Sequence, residues 1–270
     1  MGIKEIFNEV SKLSYANLLK QANVSYIGAT KHSAKMEYSY ENGTETYCIY
    51  LAPANMSGYN VCPNSKYCKD FCLNGSGKNK VDILAHGVEH SKINLSRIKK
   101  TVLFHKQKDL FMQIVIKEII KYMNHAKKNG LNFAIRLNGT SDLSPEAFVY
   151  KGKNILELFP NIQFYDYTKV ASRLNISNKY PNYDLTLSFN GYNWNTCKKY
   201  LDNGGKVAMV FGKDLPEDYK TYNVIDANGY DMRYLDPKGT IMGLHYHATA
   251  SDFVKGHYVM PTTKFIVTDY

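Results

Sequence analysis

Three cysteines fall within eleven residues of VCPNSKYCKDFCL: Cys62, Cys68 and Cys72, with five and then three residues between them. Thiolates so close on one polar, glycine-containing loop can converge on a single centre. Two chemistries use such a set. A [4Fe–4S] cluster held by three cysteines keeps one iron open for a small ligand. Zinc instead closes a tetrahedron with a fourth donor, for which His86, His90, His105 and Cys48 are candidates. Cys48, in an apolar run, and Cys197, in a helical interval, read as core residues.

A second set of polar residues lies behind the apolar runs of the C-terminal half. FAIRLNGTSD brings Arg136, Asn138 and Asp142; IQFYDYTK brings Asp166 and Lys169, with Arg173 just beyond. LTLSFN ends in Ser188, NVIDANGYDMR in Asp226 and Arg233, and LDPKG carries Asp236 and Lys238. If the runs are parallel strands, their carboxyl ends form one face where catalytic and binding residues gather. Turn chemistry alone also places Asn, Asp, Ser and Thr at strand ends. The arginines add weight, because only four exist against thirty lysines, and three of the four lie at or near strand ends. Arginine grips carboxylate or phosphate with two parallel hydrogen bonds. Arg136, Asn138, Arg173, Ser188, Arg233, Asp236 and Lys238 are therefore read as ligand-binding, and Asp142, Asp166, Lys169 and Asp226 as catalytic. The competing reading pairs Arg136 and Arg233 internally with Asp142 or Asp236. Asp142, Asp166 and Asp226 could alternatively hold Mg²⁺ for phosphoryl transfer or hydrolysis.

Charge points to the partner. The net charge is +10 in 270 residues. Residues 66 to 109 hold ten Lys and Arg against four acids, so most of the surplus surrounds the cysteine loop and the helical stretch behind it. A nucleotide or nucleic acid suits such a surface. His86 and His90, and separately His245 and His247, have spacings that place each pair on one face, a weak metal signal. No run approaches the twenty or so apolar residues that span a bilayer, and MGIKEIFNEVSKL lacks a secretory pattern, so a cytoplasmic location and no membrane partner are expected.

Periodicity indicates the elements on which these residues are mounted. Ile3, Ile6, Phe7, Val10, Leu13, Ala16 and Leu19 form the stripe of one amphipathic N-terminal helix. AKMEYSY and ETYCIYLAP, around Asn42-Gly43, read as a β-hairpin. Residues 81 to 128 read as helical, and beyond Gly130 short apolar runs alternate with helical or turn-rich intervals. The expected fold is α/β, a partial (β/α) barrel of about six parallel strands. An N-terminal helix and hairpin extension over 1–45 precedes a barrel-like domain over 46–270 that carries the cysteine loop at 62–72. An open doubly wound sheet is the other arrangement considered.

The series YLAPANMSGYNVCPNSKYCKDFCLN, SRIKKTVLFHKQKDLFM, RLNGTSD, FYDYTKVASR, YDLTLSFN, NGGKVAMVFGKDLP and VIDANGYDMRYLDPKGTIMGL resembles the phage gene-product-eighty-eight family, from about Tyr50 to Leu244. The resemblance implies a phage origin and joint importance of the three cysteines and the strand-end residues. It names no substrate. On these motifs the N-terminal helix and the tail carrying His245 and His247 fall outside the shared region. The cysteine loop comes directly after the first expected strand, where radical S-adenosylmethionine enzymes carry their cluster, although its spacing departs from their C-x3-C-x2-C. The leading expectation is accordingly a radical-SAM-like iron–sulfur enzyme acting on a nucleotide or nucleic acid. The alternatives are a nucleic-acid-binding or host-defence-countering phage protein with a structural zinc loop, and a Mg-dependent enzyme of phosphoryl transfer or hydrolysis.

Overall fold

The computed structural model describes residues 1–31, 33–254, 257–258 and 263–269. Its centre is one mixed, largely parallel sheet. The strands are β1 (Gly28–Ala29), β2 (Thr44–Ile49), β3 (Asn132–Arg136), β4 (Gln163–Thr168), β5 (Tyr183–Ser188), β6 (Lys206–Phe211), β7 (Asp218–Tyr219), β8 (Tyr222–Asp226), β9 (Ile241–His245) and β10 (Ile266–Val267). Their order is β1-β2-β3-β4-β5-β6-β9-β8-β7. Pairing is parallel from β2 through β8, and only the short outer strands β1 and β7 run antiparallel. All six apolar runs expected after Gly130 are strands of this sheet. β5 leaves β6 at the pair Ser188–Ala208, and β10 takes its place beside Val210 and Phe211.

The helices are α1 (Ile3–Ser11), α2 (Tyr15–Ala22), α3 (Ala34–Glu41), α4 (Gly77–His86), α5 (Lys92–Lys106), α6 (Lys108–Lys128), α7 (Ile155–Leu158), α8 (Ile176–Lys179) and α9 (Trp194–Asp202). The expected single N-terminal helix is two, because the Ser14 hydroxyl accepts from the Asn17 N–H and starts a new one. The expected hairpin is a correction of kind. Residues 34–41 are helical, begun by Ser33 accepting from the Met36 N–H. Asn42-Gly43 is the helix stop rather than a hairpin turn, with Gly43 at φ +85° and its N–H bonded to the Tyr40 carbonyl.

The sheet is covered differently on its two faces. On one, α1, α2 and α6 bury Ile6, Val10, Leu18, Phe111, Ile114, Val115 and Ile119 against Tyr47, Ile49, Ile135 and Phe164, and α9 adds Cys197 and Leu201 over Leu187 and Met209. Glu118 is buried here and fully engaged. It accepts from the Tyr47 hydroxyl at 2.6 Å, the Tyr15 hydroxyl at 2.8 Å and the Ile27 and Gly28 N–H groups at 2.9 Å each. The other face carries Tyr165, Tyr167 and Arg136 and is crossed by the β8–β9 connection, residues 227–240. Tyr234 meets Tyr165 there with ring centroids 5.5 Å apart, and Asp231 accepts from the Tyr167 hydroxyl at 3.0 Å. Cys48 and Cys197 are core residues, as expected.

Candidate functional site: a basic cleft ringed by three thiols

A cleft of about 1520 Å³ opens at the carboxyl ends of the parallel strands. The loop after β2 supplies Cys62, Cys68 and Cys72, the loop after β3 supplies Asn138 to Asp142, β4 supplies Thr168 and Lys169, β5 supplies Ser188, and β9 leads to His245 and His247. Its lining holds ten Lys and Arg against Glu37, Asp70, Asp142 and Asp231. His247 titrates below its ordinary range, first through burial and then through Lys35, His245 and Lys80, so the positive field acts inside the cleft.

The cysteine loop is a chain of single 3₁₀ turns, 65–67, 69–71 and 73–75. All three thiols are half-buried. Burial pushes the Cys62 thiol up to about 11, with Cys72 and Cys68 raising it further, and Cys72 is raised for the same first reason with Cys68 adding to it. The Cys62 thiol lies 3.7 Å from the Thr140 carbonyl, and the Cys72 sulfur accepts from the Asn74 N–H at 3.5 Å. The three sulfurs thus share one cleft, with Cys68 near enough to act on both Cys62 and Cys72. Among the described residues no three His, Cys, Asp or Glu side chains are already gathered at ligand geometry. The set fits a cluster or metal by residue type, shared cleft and cationic surroundings.

The strand-end residues separate into three groups. Arg136, Asn138, Asp142, Lys169 and Ser188 reach the cleft. Within this group Arg136 is bound to Asp231, with its guanidinium 4.9 Å from the centre of the Tyr167 ring. Asn138 and Asp166 form a bracket that shapes the loop. The Asn138 N–H and side-chain amide donate to the two Asp166 oxygens at 2.9 and 3.0 Å, and Asn138 Oδ1 accepts from Ser141 and the Leu143 N–H. The Asp166 carboxyl, buried beneath the cleft lining, is pushed up to about 7 by desolvation despite those donors. Asp142 accepts from the Thr168 hydroxyl, the Lys169 N–H and Arg173 at 2.7 to 2.9 Å, which uses Arg173 as its counter-ion. Gly139 is required by space, since a Cβ would lie 2.6 Å from the Tyr50 ring and 2.9 Å from the Cys48 sulfur.

Asp226 is exposed and takes the Asn228 N–H at 2.8 Å, which holds its carboxyl below the ordinary range. It stands apart from Asp142 and Asp166. Arg233, Asp236 and Lys238 lie at the opposite end of the sheet, a correction to their expected place at the strand ends. β8 and β9 are parallel, so residues 227–240 must return from carboxyl to amino ends, and they bring these three residues back with them. The Gly239 N–H bonds the Gly205 carbonyl just before β6, and Lys206 donates to the Arg233 carbonyl and to Asp184. Arg233 and Asp236 form a fully buried ion pair at 3.0 Å, and Lys238 is exposed.

Two groups escape a reading by periodicity. Asp231 lies just past a strand end but gains its meaning only from the crossover that sets it against Arg136. Arg97 and Lys100 sit inside a helix whose charge pattern resembles a solvated face, and the signal available was the position of Arg97 as the one arginine away from a strand end. His86 is exposed and pairs with Asp82 at 3.0 Å, and His90 is exposed.

These features define an α/β protein with a basic, thiol-bearing cleft at the carboxyl ends of a largely parallel sheet. The chain belongs to the phage Gene product 88 family, whose model matches residues 17–256. The matched region includes most of α2 and extends past His245 and His247, which corrects the narrower limits set by the motifs alone. No curated protein and no solved structure matches the chain. No helix among the described residues is long and apolar enough to cross a membrane.

Proposed function

We propose that this protein is a phage iron–sulfur enzyme acting on a phosphate-bearing substrate of the nucleotide class, with its chemistry at the mouth of a partial β/α barrel. The observation that carries this reading is the opening of Cys62, Cys68 and Cys72 onto one cleft with a strongly cationic lining. The strand order supports the barrel component: five strands from β2 to β6 are neighbours in chain order, the winding of a barrel rather than of a sheet that reverses direction. A [4Fe–4S] cluster on the three thiolates would supply an open iron and one-electron chemistry, and S-adenosylmethionine is the cofactor this reading pairs with it. The chain's own residues do the rest. Lys35, Lys80 and Lys169 set the positive field, the Asn138–Asp166 bracket holds the 138–143 loop, and the thiols are half-buried at its edge.

Anaerobic purification with iron and sulfide analysis and a visible spectrum tests this. A brown protein that loses iron when the three cysteines become serine is expected; a colourless protein holding one zinc overturns it. A nucleic-acid-binding protein with a structural zinc loop is the second reading, favoured by the exposed lysines of α4 and α5 beside the loop. The Mg²⁺ reading draws less support, because Asp142, Asp166 and Asp226 are each engaged by different partners.

A further inference from the structure

The four arginines are of two kinds. Arg136, Arg173 and Arg233 each have a carboxylate partner. Arg97 and Lys100, on one side of α5 and one turn apart, have none among the described residues, yet both line the cleft. Lys100 is 4% exposed, with its Nζ 3.7 Å from the centre of the Tyr26 ring. Glu118, the carboxylate that acts on it from further away, is already engaged by four donors. A buried ammonium with a π face as its nearest compensation is costly to maintain.

Arg97 is held in place by a chain of buried amides. One guanidinium nitrogen donates to Asn74 Oδ1. The Asn74 amide donates to Asn94 Oδ1 at 3.0 Å, Asn79 donates to the same oxygen at 2.9 Å, and Ser91 donates to Asn79 at 2.7 Å. The guanidinium also stands 5.1 Å from the centre of the Tyr50 ring. The rest of its fork has no acceptor among the described residues. One fixed fork and one recessed ammonium, both lacking an anion, make a preorganised site for an anion supplied from outside.

We propose that Arg97 and Lys100 bind the phosphate of a nucleotide-sized phosphomonoester, the guanidinium taking phosphate oxygens and the ammonium balancing the second charge. Arginine's planar fork suits phosphate, and a dianion matches two cations. The recessed position of Lys100 favours a small ligand over the backbone of a duplex lying across the rim. Arg97 and Cys72 lie close enough to influence each other electrostatically, so a ligand anchored here sits beside the thiols. The site deepens the substrate half of the proposed function and does not depend on what the thiols hold.

Calorimetry and thermal melts of the purified protein with inorganic phosphate, adenosine monophosphate and adenosine, at matched ionic strength, test it. Both phosphates should bind and raise the melting temperature, and adenosine should not. Lys100→Met and Arg97→Lys should each weaken adenosine monophosphate at least roughly ten-fold, while Lys100→Met melts no lower than the parent without phosphate. Equal protection of parent and Lys100→Met by phosphate overturns the site, as does a lower melting temperature of Lys100→Met in phosphate-free buffer. Loss of single-stranded DNA binding without any effect on adenosine monophosphate overturns it in favour of a strand-binding groove. Iron-free protein that binds phosphate refutes the proposed function alone, and iron-bearing protein that ignores phosphate refutes this site alone.

Discussion

The arginines of the sheet and its connections and the two cations of α5 differ in how their charge is met. Arg136, Arg173 and Arg233 reach a carboxylate of this same chain, at a loop or crossover that the carboxylate helps to hold. Arg97 and Lys100 point their charge at a cavity. A neutralised arginine is part of the architecture, whereas a buried cation with no carboxylate of its own is matched to an anion from outside. The second pair therefore marks the ligand end of the cleft more clearly than the first three.

Breaking the first half of that contrast should produce the largest effects. Arg233→Met leaves Asp236 buried without its counter-ion, and urea denaturation should show a loss of about 3–5 kcal/mol; a loss under about 1 kcal/mol would mean that the pair is not structural. Arg136→Met leaves Asp231 with the Tyr167 hydroxyl and access to the cleft, so about 1.5–3 kcal/mol is expected. Asp166→Asn sets an amide donor against the Asn138 amide and should cost about 1–3 kcal/mol. Its pH dependence gives a sharper test. Because burial raises the Asp166 carboxyl to about 7, its stabilising contribution is full below the ordinary carboxyl range and is lost as pH climbs through 7. The variant's deficit should therefore be greatest near pH 4 and narrow by pH 8, measured by denaturation at both.

The other half of the contrast predicts a smaller effect of opposite sign. Burial lowers the Lys100 ammonium to about 8, whereas the unfolded chain keeps it near its ordinary value. Between those limits the unfolded state binds more protons, so the penalty is full below pH 8 and fades as pH rises above it. Lys100→Met should then gain about 1 kcal/mol at pH 7 after the loss of the Tyr26 contact, and the gain should shrink by pH 9. A variant that is less stable at pH 7 would erase the distinction between the two sets of cations.

Much of this arrangement could be read from residue order. Short apolar runs with polar ends mark the strands, and the cysteine loop after β2 opens onto the cleft with Arg136, Asn138, Asp142, Lys169 and Ser188. Direction was harder to read. Nothing local in NGYDMRYLDPKG says that it travels back across the sheet, so Arg233, Asp236 and Lys238 looked like mouth residues although only the start of the segment lies there. Ala34–Glu41 misled for a different reason. Tyrosines at alternate positions before Asn-Gly fit a strand, but the Ser33 cap and the core contact of Met36 favour a helix. Arg97 and Lys100 were masked by the lysines around them, because the inward side of α5 emerges only when it packs beside the loop and the sheet.

The buried amide chain behind Arg97 does not end in the core. The Ser91 hydroxyl proton is shared between Asn79 and Asp82, the latter at 2.8 Å, and Asp82 meets His86 on the exposed side of α4. Five polar side chains therefore link solvent at the edge of α4 to the guanidinium in the cleft lining, each holding the next at hydrogen-bond distance. The α4–α5 pair is thus cross-linked through side chains from its exposed edge to Arg97, so the position of that guanidinium is set by residues a helix away from the cleft.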